Sequence, residues 1–272
     1  MEYILERQKT VRPLKNIWDI IHRGSYPALQ EGDTDWAAFY GDYIRTYIER
    51  DVRELSAVQD LEAFRRFMIA AGARTGEVLN YSHLADEIGK DVSTVKNWVS
   101  ILEASWMIYL LEPYTANVLK RAIRTPKLYF RDTGLVCYLT RWLTAETLAC
   151  EAFGGHIFET FVISEILKSF SNAGLDYRYF VSYYRGRDRK RVKKNGELTE
   201  MESEIDFIIE ENGILYPVEI KKSGNVTPDV TGSFLVLDKI EGKKRGTGGS
   251  DLHVYPAGAL RENILQIPVW YI

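Results

Sequence analysis

Apolar residues along the chain change period near its middle, from helical spacing to short alternating runs. In 14–23, Ile17, Ile20 and Ile21 share one helical face, and Gly24 with Pro27 ends the pattern. From Asp35 to Leu55, Trp36, Phe39, Tyr40, Tyr43, Ile44, Tyr47 and Ile48 recur at i, i+3, i+4 and i+7, with Arg45, Glu49 and Arg53 on other faces. An aromatic stripe at this spacing reads as core packing rather than as a surface on which bases stack. Residues 61–79 predict a further helix, broken at Gly72 or Gly76. Next come a helix over Ser82–Ile88, a turn at Gly89–Asp91, a helix over Ser93–Glu103 capped by Asp91 or Ser93, and a strand over Trp106–Pro113. That is the rhythm of a helix-turn-helix entering a wing. The second helix turns Val95, Trp98, Val99 and Leu102 inward, leaving Lys96 and Asn97 able to reach phosphate and base edges. One lysine flanked by Glu87, Asp91 and Glu103 makes a poor DNA reader, because phosphate neutralisation supplies much of the affinity. A protein-packing role therefore stands beside nucleic-acid binding for this module.

Residues 126–143 predict a short strand, KLYF, and a helix that Asp132 caps. The helix at 155–171 is apolar over a broad face, through Phe158, Phe161, Val162, Ile166 and Leu167, which suits packing on a sheet. Strands follow at 177–184, 202–210 and 214–222, with LHVYPAG and ILQIPVWYI supplying more. Asn212-Gly213 between two apolar runs is a strong hairpin signal, so the second and third strands pair antiparallel. Alternation sends Asp206 to the face of Glu204 and Ile208, and puts Glu219 and Lys221 on one face of the partner strand. Two carboxylates within about 4–6 Å repel unless a hard cation shares them or one is protonated. Magnesium or manganese suits Asp206 and Glu219, and Lys221 beside it could position an attacking water, the logic of phosphodiester hydrolysis. Glu159, carried by the apolar helix, needs a partner; a metal shell with Asp206 and Glu219 would be one.

The composition, 46% hydrophobic and 12% aromatic over 272 residues, excludes disordered and collagen-like classes. No apolar run approaches the ~18–20 residues of a membrane span, and the N-terminus lacks the order of a signal peptide, so a cytoplasmic protein is expected. Cys137 and Cys150 read as reduced packing residues. With 35 basic and 38 acidic residues the net charge is -3, which excludes a globally basic nucleic-acid binder. A local patch remains: Arg185, Arg187, Arg189, Lys190, Arg191, Lys193 and Lys194 stand in a predicted loop next to the carboxylates, opposed there only by Asp188. Such a run is a solvated surface or a phosphate-tracking finger. Lys243, Lys244 and Arg245 could repeat it. The four histidines have no metal spacing, and neither a GxSxG elbow nor a GxxxxGK[ST] loop occurs, so neither zinc nor ATP is expected to bind.

Glu159 on a helix, Asp206 on one strand and Glu219-Ile220-Lys221 on the next resemble the PD-(D/E)XK nuclease fold, in which helix, three strands, helix and strand follow in order. Ile205 stands where that signature has proline. More narrowly, KLYFRDTGL, GGHIFE at 154–159, YYR at 183–185, EIDFII at 204–209 and PVEIKKS at 217–223 are similar to the C-terminal half of a widespread family of prokaryotic AAA+ ATPases, a half catalogued as a domain of unknown function. The resemblance implies an α/β chain: linker helices at 1–57, a winged-helix-like domain at 58–140 and a PD-(D/E)XK-like domain at 141–272. It also implies two functions that stay open. One is a magnesium- or manganese-dependent nuclease acting on DNA or RNA. The other is a non-catalytic accessory module of an ATPase, binding nucleic acid or protein.

Overall fold

A computed structural model describes residues 16–30, 33–53, 58–115, 125–192, 198–222, 228–252, 258–261 and 264–269. The protein is a mixed α/β chain that divides into two compact units. The first, a helical unit, comprises Lys15–Leu110 and Thr125–Ser164; the second, a sheet unit, comprises Leu111–Arg124 and Glu165–Ile272 with the first 14 residues.

In the helical unit, α1 (Ile17–Arg23) is capped by the Asn16 side chain and buries Ile17, Trp18 and Ile21, while Ile20 is half-buried. After α2 (Pro27–Gln30), Asp35 caps α3 (Trp36–Thr46), which continues as a π-helical turn over Tyr47–Val52. The aromatic stripe packs as expected: Tyr40 is fully buried and Trp36, Phe39 and Tyr43 surround Tyr26 and Tyr138. Helix α4 (Leu61–Gly72) sets Phe64 and Phe67 against Trp98, with ring centroids 5.3 and 5.5 Å away. Asn80 caps α5 (Tyr81–Ile88), left-handed Gly89 closes it, and Asp91, rather than Ser93, caps α6 (Val92–Ala104). Two short strands, β1 (Ile108–Leu111) and β2 (Lys127–Phe130), pair as a two-stranded sheet, and Val78 bridges Lys127 at its side. Helices α7 (Thr133–Leu139) and α8 (Ala145–Cys150) follow. Cys137 is buried in α7, which pushes its thiol pKa up, but Cys150 is exposed at the end of α8 and is no packing residue.

Helix α9 (Phe153–Asn172) leads into the sheet unit. There β3 (Val181–Val192), β4 (Leu198–Glu211) and β5 (Ile214–Lys221) form an antiparallel meander. A 3-10 segment, Pro228–Lys239, precedes β6 (Lys244–Arg245), β7 (Gly248–Leu252), β8 (Gly258–Arg261) and β9 (Ile264–Pro268). The sheet order is β3-β4-β5-β7-β9-β8, with β7 parallel to both β5 and β9 and β6 paired to β5. Ile205, Ile208, Leu215, Phe234, Val236 and Leu237 close the core with Tyr114.

Two expectations change here. The strand expected at 177–184 begins only at Val181, after a 3-10 turn at Tyr177–Tyr179. The loop expected over 185–203 is a β-ribbon, because β3 runs on to Val192 and pairs with β4 from Leu198. Charged residues have low strand propensity, so the backbone pairing was masked by composition.

Candidate functional site

The turn between β4 and β5 places Asn212 (φ 50°) and Gly213 (φ 78°) in the left-handed region, the geometry of a two-residue hairpin that matches strand twist. It sets the register Glu211 to Ile214 through Phe207 to Val218, and one step further along lie Asp206 and Glu219. Against β3, Ser182 pairs with Ile208 but Tyr184 pairs with Ile205, so β4 carries one extra residue between them. This bulge corrects the strict alternation read from the sequence: Ile205 and Ile208 enter the same core cluster, and Asp206 between them is re-aimed toward β5.

Asp206 Oδ2 accepts the Ile220 N–H at 2.8 Å and lies 3.6 Å from Lys221 Nζ. The same ammonium is 2.6 Å from Glu219 Oε1. The side chains of Asp206 and Glu219 are each 10% exposed, whereas that of Lys221 is 40% exposed. Three of the four predicted catalytic residues thus meet, as two nearly buried carboxylates on one ammonium. Magnesium usually keeps several waters and takes one or two carboxylates plus substrate phosphates, a donor set that Asp206 and Glu219 fit.

Glu159 has other partners. Its Oε1 accepts from Tyr129 Oη at 2.5 Å and from Lys127 Nζ at 3.3 Å, and Lys127 is only 3% exposed. Within the helical unit, an ammonium and a phenol thus supply the partners that its burial demands. Among the described residues no three His, Cys, Asp or Glu side chains cluster as metal ligands.

The basic run is distributed along the ribbon. Arg185 pairs with Glu202 across the strands at 3.1 Å. Lys190 stands in register with Glu200, so a basic strand faces an acidic one. The side chains of Arg187, Arg189, Lys190 and Arg191, and all of Lys193 and Lys194, lie outside the described residues. Lys243 and Arg245 pair with Glu210 and Asp238, so these two do not extend the basic surface as expected. On α6, Lys96 and Asn97 are exposed, and Lys96 Nζ sits 5.6 Å from the Tyr81 ring. Asp91 at the start of α6 is held well below the usual carboxylate range by hydrogen bonds from Ser93 and Thr94. The helical unit holds 13 basic and 19 acidic residues, a net charge of -6; the sheet unit holds 22 and 19, a net charge of +3.

Two features escaped the sequence. Asp132 caps α7 as expected, but it also accepts from Tyr40 Oη at 2.6 Å and from Ser25 N and Oγ at 2.7 and 3.1 Å. The signal was Gly134, where an added Cβ would lie 2.3 Å from Tyr40 Oη. Trp106 follows α6 at a position that usually takes glycine: φ is 62°, its N–H bonds Glu103 O, and the Met107 N–H bonds Leu102 O. It is 67% exposed, with the Arg131 guanidinium 4.5 Å from its ring centroid.

A mixed α/β architecture with a paired carboxylate and lysine on adjacent strands is the class these features define. Two family profiles match the chain, each described as a domain of unknown function: DUF8612 over residues 14–146 and DUF4143 over residues 154–259. Uncharacterized proteins of Mycobacterium tuberculosis and Mycobacterium bovis are each 27% identical over 214 residues, which is 78% of this chain and 44% of theirs. The chain thus spans under half the length of these relatives. Among the described residues no helix is long and apolar enough to cross a membrane.

Proposed function

We propose that the sheet unit is a metal-dependent nuclease acting on DNA. The observation that carries this reading is the convergence of Asp206, Glu219 and Lys221 at the β4-β5 pair. The order of α9, the β3-β4-β5 meander, a helical segment and a strand parallel to β5 supports a PD-(D/E)XK-like domain over 141–272. The order α5, turn, α6 and a two-stranded sheet supports a winged-helix-like domain over 58–140.

Asp206 and Glu219 would hold magnesium or manganese, which would polarise a phosphate oxygen and acidify water. Asp206 is oriented by the Ile220 N–H, so its carboxylate is set before any ion arrives. Lys221 Nζ donates to the attacking water and to oxygen charge growing on phosphorus. The net +3 unit, with its ribbon, provides the phosphate-binding surface. Purified chain with magnesium or manganese is expected to cleave a member of a panel of single-stranded, duplex and branched DNA and RNA. Asp206→Asn and Lys221→Ala are expected to abolish cleavage. Intact substrates throughout would transfer the chain to a second reading, an accessory module that joins an AAA+ ATPase. One observation favours that alternative: the net charge of -6 on the helical unit, which suits a protein partner better than nucleic acid.

A further inference from the structure

We infer that Lys221 is a built-in counter-cation that occupies the divalent-ion seat and must leave it before a metal can load. The inference rests on the nuclease reading and concerns how that site is regulated. Lys221 Nζ contacts one oxygen from each carboxylate, at 2.6 Å from Glu219 and 3.6 Å from Asp206. A divalent ion held by the same two carboxylates would need that place. An ammonium and a divalent cation within about 4 Å, between nearly buried groups, repel by far more than thermal energy. One must yield, and the exposure of each group shows which has room to shift.

Asp206 is held by the Ile220 main chain and Glu219 is as buried as Asp206, so the carboxylates stay. Lys221 is 40% exposed on a four-carbon stem and can carry its charge outward into water. Loading is therefore an exchange of one cation for another. The displaced ammonium then stands at the rim, where an incoming phosphate would meet it. The same side chain opposes the metal and assists the reaction, so removing it should raise metal affinity while lowering activity.

The test is a manganese titration of the full chain by calorimetry and thermal shift, at a pH of about 8, for wild type, Lys221→Met, Lys221→Gln and Lys221→Arg. Met and Gln are expected to bind manganese at least about tenfold more tightly than wild type, since a competing unit charge is gone. Arg, which keeps the charge, is expected to bind within about threefold of wild type. Without metal, Met should melt below wild type, and manganese should recover more of its loss than it adds to wild type. If wild type binds manganese and both neutral variants bind equally or less tightly, the counter-cation inference is overturned and the nuclease reading survives. If none of the four chains binds manganese, both fall. Should Met show no cooperative melting, Gln decides the result alone.

Discussion

Replacing Asp132 with alanine should unfold the helical unit more readily than any surface change, and the magnitude can be worked from its four bonds. Its carboxylate, 6% exposed, accepts from Tyr40 Oη at 2.6 Å, Leu135 N at 2.7 Å, Ser25 N at 2.7 Å and Ser25 Oγ at 3.1 Å. Loss of the helix cap costs about 1 kcal/mol. Leaving the fully buried Tyr40 hydroxyl with only Arg23 O, at 3.2 Å, adds about 1–3 kcal/mol, and the two bonds from exposed Ser25 add about 0.5–1.5 kcal/mol. A total near 4 kcal/mol follows, a large share of the ~5–15 kcal/mol that holds a domain together. Five of the six tryptophans, Trp18, Trp36, Trp98, Trp106 and Trp142, belong to the helical unit, so urea unfolding followed by tryptophan fluorescence reports on it. Tyr40→Phe, which removes the contacts with Asp132 and Arg23 O, should cost about 1–2 kcal/mol, and its effect should shrink in the Asp132→Ala background. A loss under about 1 kcal/mol for Asp132→Ala would refute the reasoning.

Other outcomes follow from the same geometry. Trp106→Gly and Trp106→Ala both lose the stacked Arg131, yet only alanine keeps a Cβ at φ 62°, so the glycine variant should be about 1 kcal/mol the more stable in urea. Burial pushes Tyr47 up to about 12, against the lowering effect of its hydrogen bond with Ser105. Because the folded value is raised, its stabilisation is complete below pH 10 and is lost as pH climbs through 12; melting at pH 8 and pH 11 should show the drop, and Tyr47→Phe should flatten it. Glu202→Gln releases Arg185 from its cross-strand pair, so duplex DNA should bind about two- to fivefold more tightly at low salt, with a salt slope steeper by up to ~1 in log-log anisotropy data.

What the chain discloses by reading alone is its local chemistry. The caps Asp91 and Asp132, the Asn212-Gly213 turn and the meeting of Asp206, Glu219 and Lys221 depend on neighbours within a few residues or across one hairpin, which spacing reveals. Long-range partners leave no such trace. Nothing near Glu159 in sequence announces Lys127 and Tyr129, 32 and 30 residues away, nor does Asp132 announce Tyr40, 92 residues away. The ribbon was hidden for a different reason: arginine and lysine suggest solvent, and only pairing with β4 makes their backbone a strand. The bulge at Asp206 lies between these cases, since period-two alternation cannot show where one residue has been added.

That added residue ties the chemistry to the hydrophobic core. Ile205 and Ile208 are both anchored among Leu215, Phe234 and Leu237, and the backbone arc between them carries Asp206. Trimming either isoleucine to valine, an exchange usually judged by melting temperature alone, would also shift the carboxylate's aim. Deleting one residue from this arc would restore regular pairing and turn the acid away from β5. Selection for packing and selection for chemistry fall on the same four positions, so a stabilising redesign of this core should be screened by metal affinity as well as by heat.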